Sequence, residues 1–182
     1  MAADEPERAL RRALDSLKDL PVWRSEIPDG SWLWLQFGEP HLFIYEDARE
    51  SRDRHLFRRL ASVRGDYMLW LQFCRWQVLV RTRRRFHSGQ RILSLLGAGK
   101  SLEGRKLVGC KVAMRPFTFA FEFEEATLLT EPLQDASESE PVWHLISRSS
   151  RRDLRCEASG LLHYGPWRIQ RIANLRAMAI AC

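Results

Sequence analysis

The segment Leu33-Trp34-Leu35-Gln36-Phe37 reappears as Leu69-Trp70-Leu71-Gln72-Phe73, 36 residues further on, and this duplication constrains the fold more than any other feature. Each copy follows a glycine, Gly30 or Gly65. Each also leads into a second apolar segment, His41-Leu42-Phe43-Ile44-Tyr45 or Trp76-Gln77-Val78-Leu79-Val80. Aromatic and aliphatic runs with short interruptions have the composition of strands. The breaks at Gly38-Glu39-Pro40 and Cys74-Arg75 are short enough to close hairpins. Each unit is therefore expected to be a β-hairpin, and the pair an antiparallel meander of four strands.

From Pro116 to Leu129, Phe117, Phe119, Phe121 and Phe123 alternate with Thr118, Ala120, Glu122 and Glu124. A period of two puts the four rings on one face, which must cover a core, and a single strand is expected there, in the same sheet as the duplicated segments. Val142 to Ile146 reads as another strand, Cys156 to Tyr164 as further chain beyond a basic turn, and the acidic, serine-rich stretch 131–141 as a loop. The charged stretch from Glu46 to Arg64 reads as an exposed connection with a short helical piece.

Helical signals are confined to three places. Asp4 and Glu7 have the capping-box spacing, and Leu10, Ala13, Leu14 and Leu17 recur at helical intervals, predicting a helix from Glu5 to Leu20 that Pro21 ends. Ile92, Leu93, Leu95 and Leu96 predict a short helix over 90–96 capped by Gly97. Ile169, Ile172, Leu175 and Ala179 predict a basic helix over 167–182. The fold class expected is α+β: an antiparallel sheet of two similar hairpins plus C-terminal strands, flanked by terminal helices. The chain is expected to form a single domain, 1–182, with its core over about residues 30–165.

The 182 residues carry a net charge of +6, distributed in blocks. Residues 1–50 hold 6 basic and 11 acidic groups, 51–115 hold 16 and 3, 116–145 hold 0 and 7, and 146–182 hold 7 and 2. Blocks of opposite sign can neutralise each other within one fold, so the excess need not imply an external anion. The N-terminus lacks the apolar core of a secretion signal, and no apolar run is long enough to span a membrane, so a cytoplasmic protein is expected. Cys74, Cys110, Cys156 and Cys182 form no close pair, which fits reduced thiols rather than a zinc or redox centre.

Few residues suggest chemistry. Ser94-Leu95-Leu96-Gly97-Ala98-Gly99-Lys100-Ser101 resembles the end of a phosphate-binding loop, but Ser94 stands where that motif has its first glycine. Glu122 and Glu124, on one strand face, have a spacing that a divalent metal or a hydrolase could use; the simpler reading is the solvent side of a half-buried strand facing the Arg-rich block. The five histidines show no metal-site spacing. No cofactor, metal or catalytic residue is assigned. The two arginine clusters, Arg81, Arg83, Arg84, Arg85 and Arg148, Arg151, Arg152, Arg155, are the candidate partner-binding residues. Near aromatic side chains they suit either an acidic protein surface or nucleic acid, while Trp34, Trp70 and Trp143 lie in apolar runs and read as core.

Leu-Trp-Leu-Gln-Phe-Gly-Glu-Pro with His-Leu-Phe-Ile-Tyr-Glu, then Leu-Trp-Leu-Gln-Phe-Cys-Arg-Trp, Phe-His-Ser and Leu-Glu-Gly-Arg-Lys-Leu, resembles a group of uncharacterised bacterial proteins that are small and β-rich. Phe-Ala-Phe-Glu-Phe-Glu-Glu-Ala-Thr-Leu and Glu-Pro-Val-Trp-His-Leu-Ile are similar to the last strands of immunity-type proteins. The likeness covers about residues 30–165 and departs at Glu124-Glu125-Ala126, where those proteins often carry a glycine-containing turn. It implies a non-enzymatic protein-binding module, of an immunity or inhibitor kind, acting by shape and charge complementarity on a partner with an acidic surface. Nucleic-acid binding through the arginine clusters is the alternative, and a metal-dependent hydrolase using Glu122 and Glu124 the second alternative.

Overall fold

Strands account for more than half of the residues described in the computed structural model, which are 4–28, 32–47, 58–81, 85–114 and 117–166. The elements are α1 (Asp4–Leu17), β1 (Val22–Glu26), β2 (Leu33–Phe37), β3 (His41–Asp47), β4 (Arg58–Arg64), β5 (Tyr67–Leu71), β6 (Cys74–Val80), β7 (Arg85–His87), α2 (Ile92–Leu102), β8 (Leu107–Met114), β9 (Phe117–Phe123), β10 (Ala126–Pro132), β11 (Pro141–Ser147), β12 (Arg152–Glu157) and β13 (Leu162–Pro166). The fold is thus β-rich and mostly antiparallel, with two short helices among the described residues. The expected C-terminal helix over 167–182 lies outside them.

The strands form a six-stranded sheet, β1-β2-β5-β11-β12-β13, a five-stranded sheet, β7-β6-β10-β9-β8, and a two-stranded ribbon, β3-β4. The duplicated segments pair with each other rather than each closing a hairpin. Leu33 stands opposite Leu71, Trp34 opposite Trp70, and Leu35 opposite Leu69. After β2 the chain leaves the sheet through Gly38, at φ 79°, and β3 pairs with β4. The stretch 58–64, expected within a connection, is therefore a strand, and residues 48–57 lie outside the description. After β5 the chain crosses to the other sheet at Gln72-Phe73, with Phe73 at φ 45°. That corner has the length of a hairpin turn without its bonding: the Gln72 amide donates to Val142 O (3.1 Å), and Phe73 O accepts from the Leu133 amide (3.4 Å). Partners from the C-terminal half thus satisfy it, and no four-stranded meander forms.

The stretch 116–129 is likewise two strands, not one. Phe119, Phe121 and Phe123 are buried at odd positions and Ala126, Leu128 and Thr130 at even ones, so the inward phase flips across Glu124-Glu125. β9 and β10 pair around that turn, Phe123 opposite Ala126, and Glu125 occupies the left-handed region at φ 55°. A turn thus forms with glutamate rather than glycine in the strained position.

The dry face of the duplicated segments and the phenylalanine stripe belong to opposed sheets, a correction to the single sheet expected. Leu33, Leu35 and Phe37 of β2, Leu69 and Leu71 of β5, and Trp143 and Leu145 of β11 meet Trp76, Val78, Phe119, Phe121, Phe123 and Leu128 from the other sheet. Phe37 stacks on Phe123 with ring centres 6.3 Å apart, and Trp143 meets Phe119 edge-on at 4.9 Å. Each buried phenylalanine contributes about 1.5–3 kcal/mol. The side chain of Phe117 lies outside the description.

Helix α1 packs against β8, β12 and β13, and α2 against β1 and β7. The first helix stops three residues short of the expected Leu20, because Asp19 turns left-handed at φ 70° ahead of Pro21. The second runs past Gly97 to Leu102, so that glycine is not its cap. Here glycine permits close approach: a Cβ on Gly97 would lie 3.3 Å from the Phe86 ring, and one on Gly99 2.5 Å from Ser25 Oγ.

Candidate partner-binding surface

The two arginine clusters sit on different sheets. Arg81 follows β6, its amide donating to Glu125 O (2.9 Å) and its guanidinium 3.9 Å from the Glu125 carboxylate, both side chains exposed. Arg85 opens β7 and is exposed, while Arg83 and Arg84 lie outside the described residues. In the turn after β11, Arg148 stacks over Phe43 at 5.9 Å, and Arg151 is exposed at φ 50°. On β12 the pleat separates two further members. Arg152 shares the parity of the buried Leu154 and Cys156 and lies over Tyr164 at 4.9 Å, whereas Arg155 points away from the core and donates to Glu157 (3.3 Å). Of the eight predicted arginines, Arg148 and Arg155 share the outer side of the six-stranded sheet.

That outer side carries a row that the sequence did not single out. Trp34, Trp70, His144, Arg155 and His163 are register neighbours across β2, β5, β11, β12 and β13. Trp70 meets Trp32 and Trp34 edge-to-face, both at 5.7 Å, and lies 5.5 Å from the His144 ring. Trp34 and Trp70 therefore belong to a second aromatic layer outside the sheet, not to the main core with Trp143. His144 Nδ1 is 3.0 Å from Asp153, and His163 Nε2 is 3.0 Å from Glu157. The Trp34 and Trp70 indole nitrogens and His144 Nε2 are shielded from water without a hydrogen-bond partner. Edge-to-face rings let such N–H groups lie against π faces. His144 Nε2 is thus covered by its neighbours. The signal in the sequence was the alternation Asp153, Arg155, Glu157 along one face of a strand.

The β3-β4 ribbon is clasped against this layer. Asp66 accepts from the Glu39 amide (2.8 Å) and lies 2.7 Å from His41 Nε2, while its carbonyl accepts from the Arg148 amide (2.9 Å). Burial pushes the Asp66 carboxyl upward, but the Glu39 amide, His41 and Arg148 outweigh it and hold the group below the ordinary aspartate range. Arg64 covers the Trp34 ring at 4.9 Å and reaches Met68 Sδ (3.5 Å). The opposite side of the ribbon pairs Leu42 with Val63 and Ile44 with Ala61. Leu42 and Ile44 are 62% and 59% exposed there.

The carboxylates weighed as a metal site are placed apart. Glu122 lies on β9 beside Lys111, while Glu124 belongs to the turn, its side chain accepting from the Lys106 amide (3.4 Å). With Arg81 and Arg105 beside Glu125, these pairs join the basic block 51–115 to the acidic block 116–145. Among the described residues no three His, Cys, Asp or Glu side chains converge. Lys100 and Ser101 lie in the last turn of α2, so the resemblance to a phosphate loop has no strand-to-helix geometry behind it. Burial pushes the Cys74 and Cys156 thiols up to about 12. No described helix is long and apolar enough to cross a membrane.

Comparison of the chain with protein-family models, curated proteins and solved structures finds no match.

Proposed function

We propose that the chain is a non-enzymatic protein-binding module of the cytoplasm, of an immunity or inhibitor kind, and that the β3-β4 ribbon is its contact element for a partner with an acidic surface. The observation that carries this reading is the pair Leu42 and Ile44, exposed on one side of a ribbon whose other side is fastened by Arg64, Asp66 and Arg148. A two-stranded ribbon has little stability of its own, and bare aliphatic groups on one mark an interaction surface. The clasp keeps that surface presented, so a partner meets it without an ordering cost. Arg148 and Arg151 at the neighbouring turn supply positive charge for orientation and rate. The separation of the two arginine clusters between sheets favours a compact protein contact over a continuous phosphate track.

A photo-cross-linking side chain at position 44, compared with one at the exposed Glu131, tests this in cells. A discrete adduct from position 44, absent from position 131 and weakened by Arg148→Glu, is expected, with an acidic protein as the captured species. Equal labelling at the two positions, or labelling of nucleic acid that collapses with salt, would overturn it.

A further inference from the structure

A helix on a protein surface buries one stripe and turns a polar one to water. Helix α2 departs from this. It buries Leu95, Ala98, Gly99 and Leu102, while Ile92, Leu93 and Leu96 are 52%, 79% and 45% exposed. At 3.6 residues per turn, these three and Lys100 fall within about 100° of one another, in a stripe that adjoins the buried one at Ile92 and Gly99 and turns outward at Leu93. The helix contains no acidic residue. Arg85 and Arg91 beside it are exposed, and the Lys100 side chain is 71% exposed. Glu103, just past the end of the helix, is occupied by the Ser25 amide and hydroxyl (2.9 and 2.8 Å) and by Lys100 (2.8 Å).

We infer that the outward stripe of α2 rests on an anionic lipid surface. Aliphatic groups at the centre enter the boundary between headgroups and acyl chains, and the flanking Arg85 and Arg91 reach lipid phosphates. The stripe offers no tryptophan, tyrosine or arginine anchor at its centre, which is where protein interfaces concentrate their energy. The platform is rigid. Gly99 seats on Ser25, Gly97 on Phe86, and Glu103 ties the end of the helix to β1. This contact is independent of the ribbon and its partner.

Co-sedimentation with vesicles tests it. The whole chain should pellet with vesicles of equal parts phosphatidylglycerol and phosphatidylcholine at low salt, and less at high salt or with phosphatidylcholine alone. Leu93→Asp, at an exposed position that leaves the melting transition in place, should lower the partition roughly tenfold or more. Arg91→Glu should lower it too, while Val108→Asp, on the exposed edge of β8, should leave it unchanged. Failure of the unaltered chain to pellet with anionic vesicles would overturn the inference, as would full binding by Leu93→Asp or equal binding to the neutral vesicles. A dimer that Leu93→Asp dissociates, without vesicle binding, would assign the stripe to a second copy instead.

Discussion

Asp66 joins pieces of chain that are distant in sequence: the Gly38-Glu39 turn, His41 at the start of the ribbon, and Arg148 after β11. Asp66→Asn weakens the carboxylate bonds while leaving the backbone in place. The group is partly exposed, so the expected loss is about 1 kcal/mol at about pH 7, measured by denaturant unfolding. Its folded carboxyl titrates below the ordinary aspartate value. The stabilisation is therefore complete above that value and lost as pH falls through the depressed one. The gap between wild type and variant should narrow as the pH falls through that depressed value, and a gap that widens there would refute the assignment. Two thiols make a separate case. Burial places Cys74 and Cys156 at about 12, so iodoacetamide at about pH 8 should leave both unmodified until denaturant is added, as peptide mass mapping would show.

At the scale of elements, glycine and the left-handed positions set the expectations. Alanine is favoured over glycine in a helix by about 1 kcal/mol. Gly99→Ala should nevertheless destabilise by about 1–3 kcal/mol, because the new methyl would sit 2.5 Å from a Ser25 hydroxyl already held by Glu103. In the β9-β10 turn the expected sign reverses. Glu125→Gly relieves a left-handed glutamate at the expense of two exposed ion pairs and should gain about 0.5–1 kcal/mol in thermal unfolding. Much at this scale was legible in the residues. The inward phenylalanines, the strand around Trp143 and the first helix follow from periodicity alone. The turn at Glu124-Glu125 was legible too, in the shift of the apolar phase from Phe123 to Ala126, but no glycine or asparagine marks it. Gly97 misled for the opposite reason, since a residue that usually ends helices here makes room for Phe86.

Across the whole molecule, pairing depends on contacts distant in sequence, which local pattern does not encode. Leu33-Trp34-Leu35 is apolar on both faces of the pleat. Alternation separates the leucines from the tryptophan, yet only the position of the second sheet decides which side becomes the main core. The candidate surface was legible in part: Arg148 lies beside the ribbon, but nothing local to Leu42 or Ile44 reveals that their side of β3 stays uncovered. The opposed rings make Phe121→Ala the sharpest global test, with an expected loss of about 3–5 kcal/mol and a single cooperative transition followed by tryptophan fluorescence. The strand order has a further consequence for biosynthesis. β5 lies between β2 and β11, and β6 between β7 and β10, so each needs an inner neighbour from the last third of the chain. While the polypeptide is still emerging from the ribosome, both strands present a naked hydrogen-bonding edge, and closure waits until β11 has cleared the exit tunnel.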